Sequence, residues 1–340
     1  MSFYNNLLRA SFTLLVILGN TGCANYHNET EVPVYTGDLE NKVYVRFLGT
    51  STLFFGVGNK GFMIDGFVTR PGIFSTILTG MTSKKSDVLT QLKKADLDFN
   101  SIEALFVSHS HYDHALDASE YETQVFGSNV TKASNESPWY NFKLLEYSKT
   151  PIPVGDFEIW AIPGKHVNKP LGTKNLEAIF HKIASQGDKY RQHGPVYNFY
   201  IKYQNLKVLV VSSANYPDNY PEFVKPDIVF LGIGMLSNWL DKRPPHPTPS
   251  DSRTYAEIFW EKNVESLGAR MVIPVHWDSF NYELGSQLRL PYTAVDDVSE
   301  TLEFLKSKAE SHSSTGQQIE ILMPPVLKPF LLAPLVMRKN

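Results

Sequence analysis

The sequence predicts an α/β protein of the αββα sandwich type, with two mixed β-sheets between outer layers of helices. Short apolar runs bounded by Gly, Pro or Asn alternate with segments of helical spacing, which is the βα rhythm that each half of such a sandwich needs. The 340 residues contain no internal repeat or low-complexity linker, and a hydrophobic content of 42% is that of a folded globular chain. We therefore predict one large domain over residues 42–323.

The first half of this domain opens with three strands that end at glycine-rich turns, and a helix and two further strands follow. The predicted elements are strands at residues 42–47, 52–57 and 61–64, a helix at 86–94, a strand ending at 107, a short helix at 117–123 and a strand at 123–127. An apolar insertion at residues 69–82 interrupts this series. It is interpreted as a flap near the site, a membrane-facing patch or a loop packed on the core.

The second half continues with buried strands and two helices. The predicted strands are residues 157–162, 197–203, 207–211, 227–232, 271–275 and 317–323, and the helices are 254–267 and 298–309. The remaining segment, residues 324–340, is apolar but holds four prolines. Prolines oppose a membrane-spanning helix, so we predict an extended tail packed on the domain.

A cluster of histidines follows the strand that ends at Val107. Residues 108–114 read Ser-His-Ser-His-Tyr-Asp-His. In an extended segment, residues two apart point to the same side, so His109 and His111 can converge on one ion. Asp113 and His114 lie just beyond, where the chain turns, and can face a second ion. Imidazole and carboxylate groups suit zinc and similar divalent metals.

The run His-Ser-His-Tyr-Asp-His-Ala-Leu-Asp resembles the metal-binding signature of the metallo-β-lactamase superfamily. It is most similar to the branch that holds N-acyl-phosphatidylethanolamine phospholipase D and the ascorbate-6-phosphate-lactonase-like hydrolases. The resemblance extends from about residue 42 to about residue 305. It implies the four-layer αββα fold of that superfamily, with a metal centre at one edge of the two sheets.

The resemblance also implies the remaining ligands. His166 follows a strand where the superfamily's third motif supplies a ligand, and would complete a first site with His109 and His111. His276, in the run Ile-Pro-Val-His-Trp, corresponds to the last motif and would complete a second site with Asp113 and His114. Asp113 is expected to act as ligand, as proton acceptor, or as both.

One position departs from the superfamily pattern. The superfamily usually has an aspartate that bridges two metals after the strand at 207–211, whereas this chain has Ser213. The second ion should then be held less tightly or by another group, and Asn215, Asp65 and Asp278 are candidates. Asp65 also matches the superfamily's acidic residue that orients the ligand loop. The other histidines are expected at the surface, although His246 is weighed for a substrate role; they are His27, His181, His193, His246 and His312.

The N-terminal residues resemble a bacterial lipoprotein signal. Arg9 precedes a short apolar core, far below the roughly 20 residues that span a bilayer, and Thr21-Gly22-Cys23 follows it. We predict a signal peptide at residues 1–22, a lipid on Cys23 and a flexible tether over 23–41, although an ordinary secretory signal or an uncleaved anchor remains the alternative. Cys23 is the only cysteine, so no thiolate can serve as ligand or nucleophile inside the domain.

These features predict a metal-dependent hydrolase anchored in the bacterial cell envelope, facing outside the cytoplasm. The expected cofactor is one or two Zn²⁺ ions, with manganese, iron or nickel as alternatives. The expected substrate is a small molecule or lipid derivative with a phosphodiester, lactone or related ester bond. No Gly-x-Ser-x-Gly elbow supports covalent catalysis, and a net charge of −3 without a basic block gives no case for nucleic acid.

Two alternatives remain at this stage. A non-catalytic metal-binding envelope protein, with a ligand-binding or assembly role, would explain Ser213 as a sign of a degraded second metal site. The five converging histidines and Asp113 weigh against it. A redox iron centre is the third interpretation.

Overall fold

The computed structural model describes residues 30–72, 82–135, 138–168, 192–245, 251–313 and 318–336. Within these ranges the chain forms two mixed seven-stranded sheets that are flanked by helices. This is the αββα sandwich expected from the sequence, so the predicted fold class is confirmed.

The first sheet has the strand order β14-β1-β2-β3-β4-β5-β6. Its strands are β1 (Val43–Phe47), β2 (Leu53–Val57), β3 (Lys60–Ile64), β4 (Ile102–Phe106), β5 (Gln124–Gly127), β6 (Asn141–Leu144) and β14 (Pro329–Leu331). The β14, β1, β2 and β3 strands pair antiparallel, and β3 to β6 pair parallel.

The second sheet has the order β13-β12-β11-β10-β9-β8-β7. Its strands are β7 (Ile152–Val154), β8 (Phe157–Pro163), β9 (Tyr197–Tyr203), β10 (Leu206–Val211), β11 (Ile228–Gly232), β12 (Met271–Val275) and β13 (Glu320–Ile321). The strands from β10 to β13 are parallel, and β7 to β10 are antiparallel. Each sheet therefore joins a parallel half to an antiparallel half.

Three helices lie where helical segments were predicted, at 86–94, 254–267 and 298–309, whereas the other three are short and lie outside the predicted segments, and one of these lies in the tail that was expected to be extended. They are α1 (Lys85–Lys93), α2 (Tyr112–Ala115), α3 (Asn129–Ser134), α4 (Tyr255–Asn263), α5 (Val298–Ser313) and α6 (Ala333–Val336). The segment predicted as one helix at 254–267 forms α4 followed by a 3₁₀ turn at Glu265–Leu267. The segment predicted as a helix at 117–123 forms only a 3₁₀ turn at Ala118–Glu120. The start of α4 is fixed by a capping box between Thr254 and Glu257.

Aromatic rings from the two sheets meet in the core. Phe62 on β3 packs edge-on against Phe157 on β8 at 5.1 Å between ring centroids, and Phe106 on β4 packs against Phe199 on β9 at 5.7 Å. All four rings are buried. Replacing a buried phenylalanine by alanine typically costs about 3–5 kcal/mol. Because Phe106 ends β4 just before the histidine motif, this packing also fixes the base of the candidate site.

The domain extends beyond both predicted limits, 42 and 323. Pro329–Leu331 of the expected tail forms β14, which pairs with β1 at the edge of the first sheet, a position where proline's missing N–H is tolerated. Val32, assigned to the tether, is buried and donates its N–H to the Met323 carbonyl at 2.9 Å. The last strand is thus β14 rather than residues 317–323.

None of the helices in the described ranges combines the length and apolar character needed to cross a membrane.

Candidate metal centre

The candidate site lies at the carboxyl ends of strands from both sheets. His109 follows β4, His166 follows β8 and His276 follows β12. The strands β8, β10 and β12 point the same way because two antiparallel steps separate β8 from β10 and two parallel steps separate β10 from β12. Their loops therefore meet at one edge, where open α/β sheets commonly bind ligands. The structure brings all six predicted ligands together there in two adjacent clusters.

The first cluster consists of His109, His111 and His166. One ring nitrogen from each lies within 4.8 Å of the others. The ring centroids are 4.4 to 5.0 Å apart and the rings are steeply inclined to one another. His109 is buried, whereas the other two are half-buried. Three imidazoles in this arrangement could supply the three protein ligands of a zinc site whose fourth coordination position is left for water or substrate.

The second cluster consists of Asp113, His114 and His276. The Oδ2 atom of Asp113 lies 3.4 Å from His114 Nε2 and 3.2 Å from His276 Nε2. Neighbouring ligands of a tetrahedral zinc with bonds of about 2.0–2.1 Å are about 3.3 Å apart, so these separations match a metal's coordination sphere. The clusters adjoin, since the His109 and His114 ring centroids are 3.9 Å apart.

A hydrogen-bond network below the ligands sets which nitrogen each histidine presents. His114 donates from Nδ1 to Asp65 Oδ2 at 2.8 Å. His109 Nδ1 lies 3.0 Å from Ser108 Oγ, which itself donates to Asp65 Oδ2 at 3.0 Å. When both rings are neutral, as ligating imidazoles must be, this network favours the Nδ1–H tautomer and directs each Nε2 towards the clusters.

Asp65 is the centre of that network and lies beneath the ligands rather than among them. It is fully buried at the end of β3 and also accepts the N–H of Ser108 at 2.7 Å and the hydroxyl of Ser51. Its φ of +61° is a left-handed conformation that aspartate tolerates better than most residues. The carboxylate is therefore engaged by four donors and orients the histidines.

The other proposed substitute ligands also bond elsewhere. Ser213 accepts the N–H of Val167 at 3.0 Å, and the Asn215 side-chain amide donates to the His166 carbonyl. Both contacts hold the backbone that carries His166. Asp278 forms an ion pair with the buried side chain of Arg70. Neither Asp65 nor Asp278 belongs to either cluster. The side-chain oxygens of all four residues accept hydrogen bonds from other groups, and that of Asn215 accepts the N–H of Tyr216 at 2.7 Å.

The residues present fit a metal. His109 Nε2 is buried and has no hydrogen-bond partner among the described residues, although an unpaired buried nitrogen is costly. A bound cation would satisfy it. The donor set of five imidazoles and one carboxylate suits zinc and equally accepts manganese, iron or nickel.

Protonation differs between the clusters in the metal-free protein. Burial, reinforced by the neighbouring imidazoles, holds the pKa values of His109 and His166 well below the ordinary value. Burial also lowers the pKa of His114, but the carboxylates of Asp113 and Asp65 outweigh it and raise that pKa to about 10. Burial would raise the pKa of Asp113, but His114 and His276 hold it well below its usual range. The second cluster is therefore an ion pair at neutral pH.

We expect metal binding to the second cluster to release a proton from His114, since a ligating imidazole must be neutral. Its affinity should rise by about tenfold per pH unit between about pH 6 and pH 9, because the folded-state pKa lies above that range. His109 and His166 are already neutral there and release none. Calorimetric titration in buffers of different ionisation enthalpy measures the proton count. Two binding steps that both proceed without proton release would contradict this assignment.

His193 borders the first cluster, which the sequence did not indicate. It is exposed, as predicted, but its ring stacks on His166 at 5.2 Å with a 6° interplanar angle. Its carbonyl accepts the N–H of Ser110, the residue between two ligands, at 2.9 Å. No local pattern marks it, because only the folded chain brings it near.

His312 lies on α5, with its Nδ1 3.6 Å from Glu265. Residues 1–29, 73–81 and 246–250, with Cys23, His27 and His246, lie outside the described residues, as does His181.

A row of aromatic rings continues from the second cluster. Phe280 packs edge-on against His276 at 5.9 Å and against Tyr112 at 5.7 Å, and Tyr112 packs against Phe67 at 6.1 Å. Phe280 and Tyr112 are half-buried. Aromatic rings therefore pack beside His276 at the second cluster.

No protein-family model matches the sequence, and no curated protein matches it either. Among solved structures, the chain is similar to Igni18, a metallo hydrolase from Ignicoccus hospitalis, at 16% identity and a TM-score of 0.45, covering 86% of this chain and 99% of that one. It is also similar to the metallo-β-lactamase fold protein YhfI from Bacillus subtilis, at 14% identity and a TM-score of 0.40, covering 70% and 86%.

A third similar structure is CmlA, a diiron β-hydroxylase from Streptomyces venezuelae. It has 14% identity and a TM-score of 0.44 and covers 86% of this chain and 54% of that one. At these values the similarities assign no activity to this chain. The resemblance to one particular branch of hydrolases stays a prediction.

Proposed function

We propose that this protein is a metal-dependent hydrolase with a two-metal centre. The observation that carries the proposal is the pair of adjoining clusters, each with three ligand atoms within 4.8 Å of one another. When bound, divalent metals lower the pKa of water and polarise the bond under attack. Zinc is the proposed metal, because imidazole-rich sites with one carboxylate suit it.

The chain's own residues prepare the site for this chemistry. Asp65 fixes the rings of His109 and His114, and the contacts of Ser213 and Asn215 fix the backbone at His166. The ligands are thereby held in position before a metal arrives, and a preorganised ligand shell raises affinity.

Asp113 acts in this proposal as a ligand rather than as a proton acceptor. A general base works best with a pKa near the operating pH. The imidazoles of His114 and His276 hold the pKa of Asp113 well below its usual range. The carboxylate therefore stays ionised and contributes negative charge at the second cluster.

The proposed substrate is a small molecule or lipid derivative with a phosphodiester, lactone or related ester bond. Its support is the resemblance of residues 109–117 to enzymes that cleave such bonds. The test is hydrolysis of bis-p-nitrophenyl phosphate, p-nitrophenyl esters and simple lactones by the full chain in detergent, before and after metal removal. We expect turnover that disappears with a chelator and returns with Zn²⁺, Mn²⁺, Fe²⁺ or Ni²⁺.

A non-catalytic metal-binding protein is the second candidate, and the observation that favours it is Ser213. A serine replaces the expected bridging carboxylate, and its hydroxyl is used to hold Val167. A protein that binds metal tightly but hydrolyses none of these substrates would favour this candidate over the hydrolase.

We further propose that Cys23 carries a lipid that anchors the protein in the bacterial envelope. The support is the small residues and the cysteine after a short apolar core. Replacing Cys23 by Ser should move the protein from the membrane fraction to the soluble fraction. Mass spectrometry should find an acylated Cys23 at the N-terminus of the native protein, and an unmodified one would contradict the proposal.

A further inference from the structure

We propose that Thr50, Arg70 and Asp278 form a buried clamp that holds the turn carrying His276 in the position where it binds the second metal. Arg70 and Asp278 are positioning residues in this proposal and touch neither metal nor substrate. The inference rests on the proposed metal centre but not on hydrolysis. It gives the loop after β3, which contains Arg70 but no metal ligand, a role in positioning a ligand that is far away in the chain.

Asp278 lies at the middle of the clamp. Its Oδ1 accepts the Thr50 N–H at 2.7 Å, and its Oδ2 accepts a guanidinium N–H of Arg70 at 2.6 Å. Neither charged side chain has any exposed surface. The same Arg70 nitrogen lies 3.3 Å from Thr50 Oγ1, so the three residues contact one another.

Thr50 holds the turn from its other end. Its carbonyl accepts the His276 N–H at 2.5 Å, while its own N–H binds the carboxylate two residues further on. Both Thr50 and His276 have left-handed backbones, with φ of +51° and +58°. Such conformations are costly for residues other than glycine and persist only where surrounding contacts impose them. The clamp supplies those contacts.

Stability alone does not explain a pair of this kind. Buried ion pairs recover their desolvation cost only with complete hydrogen bonding, and apolar replacements are often as stable. Nε and Nη1 of Arg70 have no hydrogen-bond partner among the described residues, so the pair is incompletely satisfied. The geometry that the pair imposes on His276 explains it better.

The backbone at Gly49 makes room for the clamp. A Cβ atom at this position would lie 1.8 Å from Arg70 Nη2 and 3.0 Å from Asp278 Oδ2. The φ of Gly49 is +83°, which also favours glycine. A side chain at position 49 would therefore displace the ion pair directly.

The test uses Arg70→Met and Asp278→Asn in the full chain, purified in detergent. The readouts are zinc per chain, the affinity of each binding step by chelator competition, and Tm. Asp113→Asn identifies the step that belongs to the second cluster. We expect Arg70→Met and Asp278→Asn to weaken that step by about 10- to 100-fold, the usual effect of losing support behind a ligand, and to leave the other step unchanged.

Two further variants separate positioning from stability. Leu305→Ala removes a buried side chain on α5 and should lower Tm without changing either metal affinity. The double variant Arg70→Met with Asp278→Leu replaces the ion pair by an apolar pair. It should regain much of the lost Tm but not the second metal affinity.

The clamp proposal is overturned if Arg70→Met and Asp278→Asn lose stability but bind the second metal like the wild type. It is equally overturned if the double variant recovers both properties together, since the pair would then be structural only. If the single variants fail to fold, the double variant and Arg70→Lys, which keeps the charge without the planar fork, decide the question. A wild type with only one metal step removes the premise and the proposal with it. Two metals without any hydrolysis would refute the proposed function alone.

Discussion

Replacing Asp113 by Asn is expected to abolish hydrolysis, with a fall of at least about 10³-fold, and to release the second metal. Asparagine keeps the size of the side chain but removes its negative charge. In the structure that charge faces His114 at 3.4 Å and His276 at 3.2 Å. A cation held by two neutral imidazoles and an amide oxygen would be bound weakly, because neutral oxygen is a poor ligand beside a carboxylate.

The measurements are turnover on the substrate that proves best and zinc content by elemental analysis. Asp218→Asn is the matched control. Asp218 is an exposed carboxylate, and it is paired with Lys165, the residue directly before the ligand His166. It should keep both metals and full activity. An Asp113→Asn protein with two tightly bound metals and more than a tenth of the wild-type rate would contradict the assigned role.

The second large effect is expected from Asp65→Asn, which changes no ligand. Asp65 accepts hydrogen bonds from His114, Ser51 and both the N–H and the hydroxyl of Ser108. An asparagine has one acceptor oxygen, and its NH₂ group would face donors. The free energy of unfolding should fall by about 2–4 kcal/mol, because buried donors lose their acceptor. Both metal affinities should fall by about 10- to 100-fold, because the network orients a histidine in each cluster.

Asp117→Asn is the control for this prediction. Asp117 is also fully buried and accepts the N–H groups of Val68 and Thr69 and the Thr69 hydroxyl, but it bonds none of the histidines. The variant should lose stability to a similar degree and keep its metal affinities. If Asp65→Asn loses stability alone, as Asp117→Asn is expected to, Asp65 does not tune the metal centre.

The strands that carry the ligands could be predicted because their patterns are local. The runs before His109, His166 and His276 are apolar and short, and each stops at the histidine loop. The spacing of two residues between His109 and His111 is visible without a structure. The fold class followed from the same strands, since parallel pairing requires the helical crossovers that alternate with them.

The supporting contacts could not be predicted, because their partners are far apart in sequence. Asp278 is 208 residues from Arg70 and 228 from Thr50, and no periodic pattern relates them. His193 reaches the first cluster only through the return of β9 beside β8. The strand β14 was hidden by Pro329, which reads as a strand breaker but is tolerated at a sheet edge.

The number of metal ions bound per chain tests the two-metal centre most directly. Elemental analysis should be made on the wild type and on Ser213→Asp, both expressed with supplemented zinc. We predict about two ions per chain in both proteins, since the two clusters are complete without Ser213. One ion in the wild type, rising to two in Ser213→Asp, would contradict this prediction and indicate a mononuclear site. No bound metal in either protein would contradict the metal centre itself.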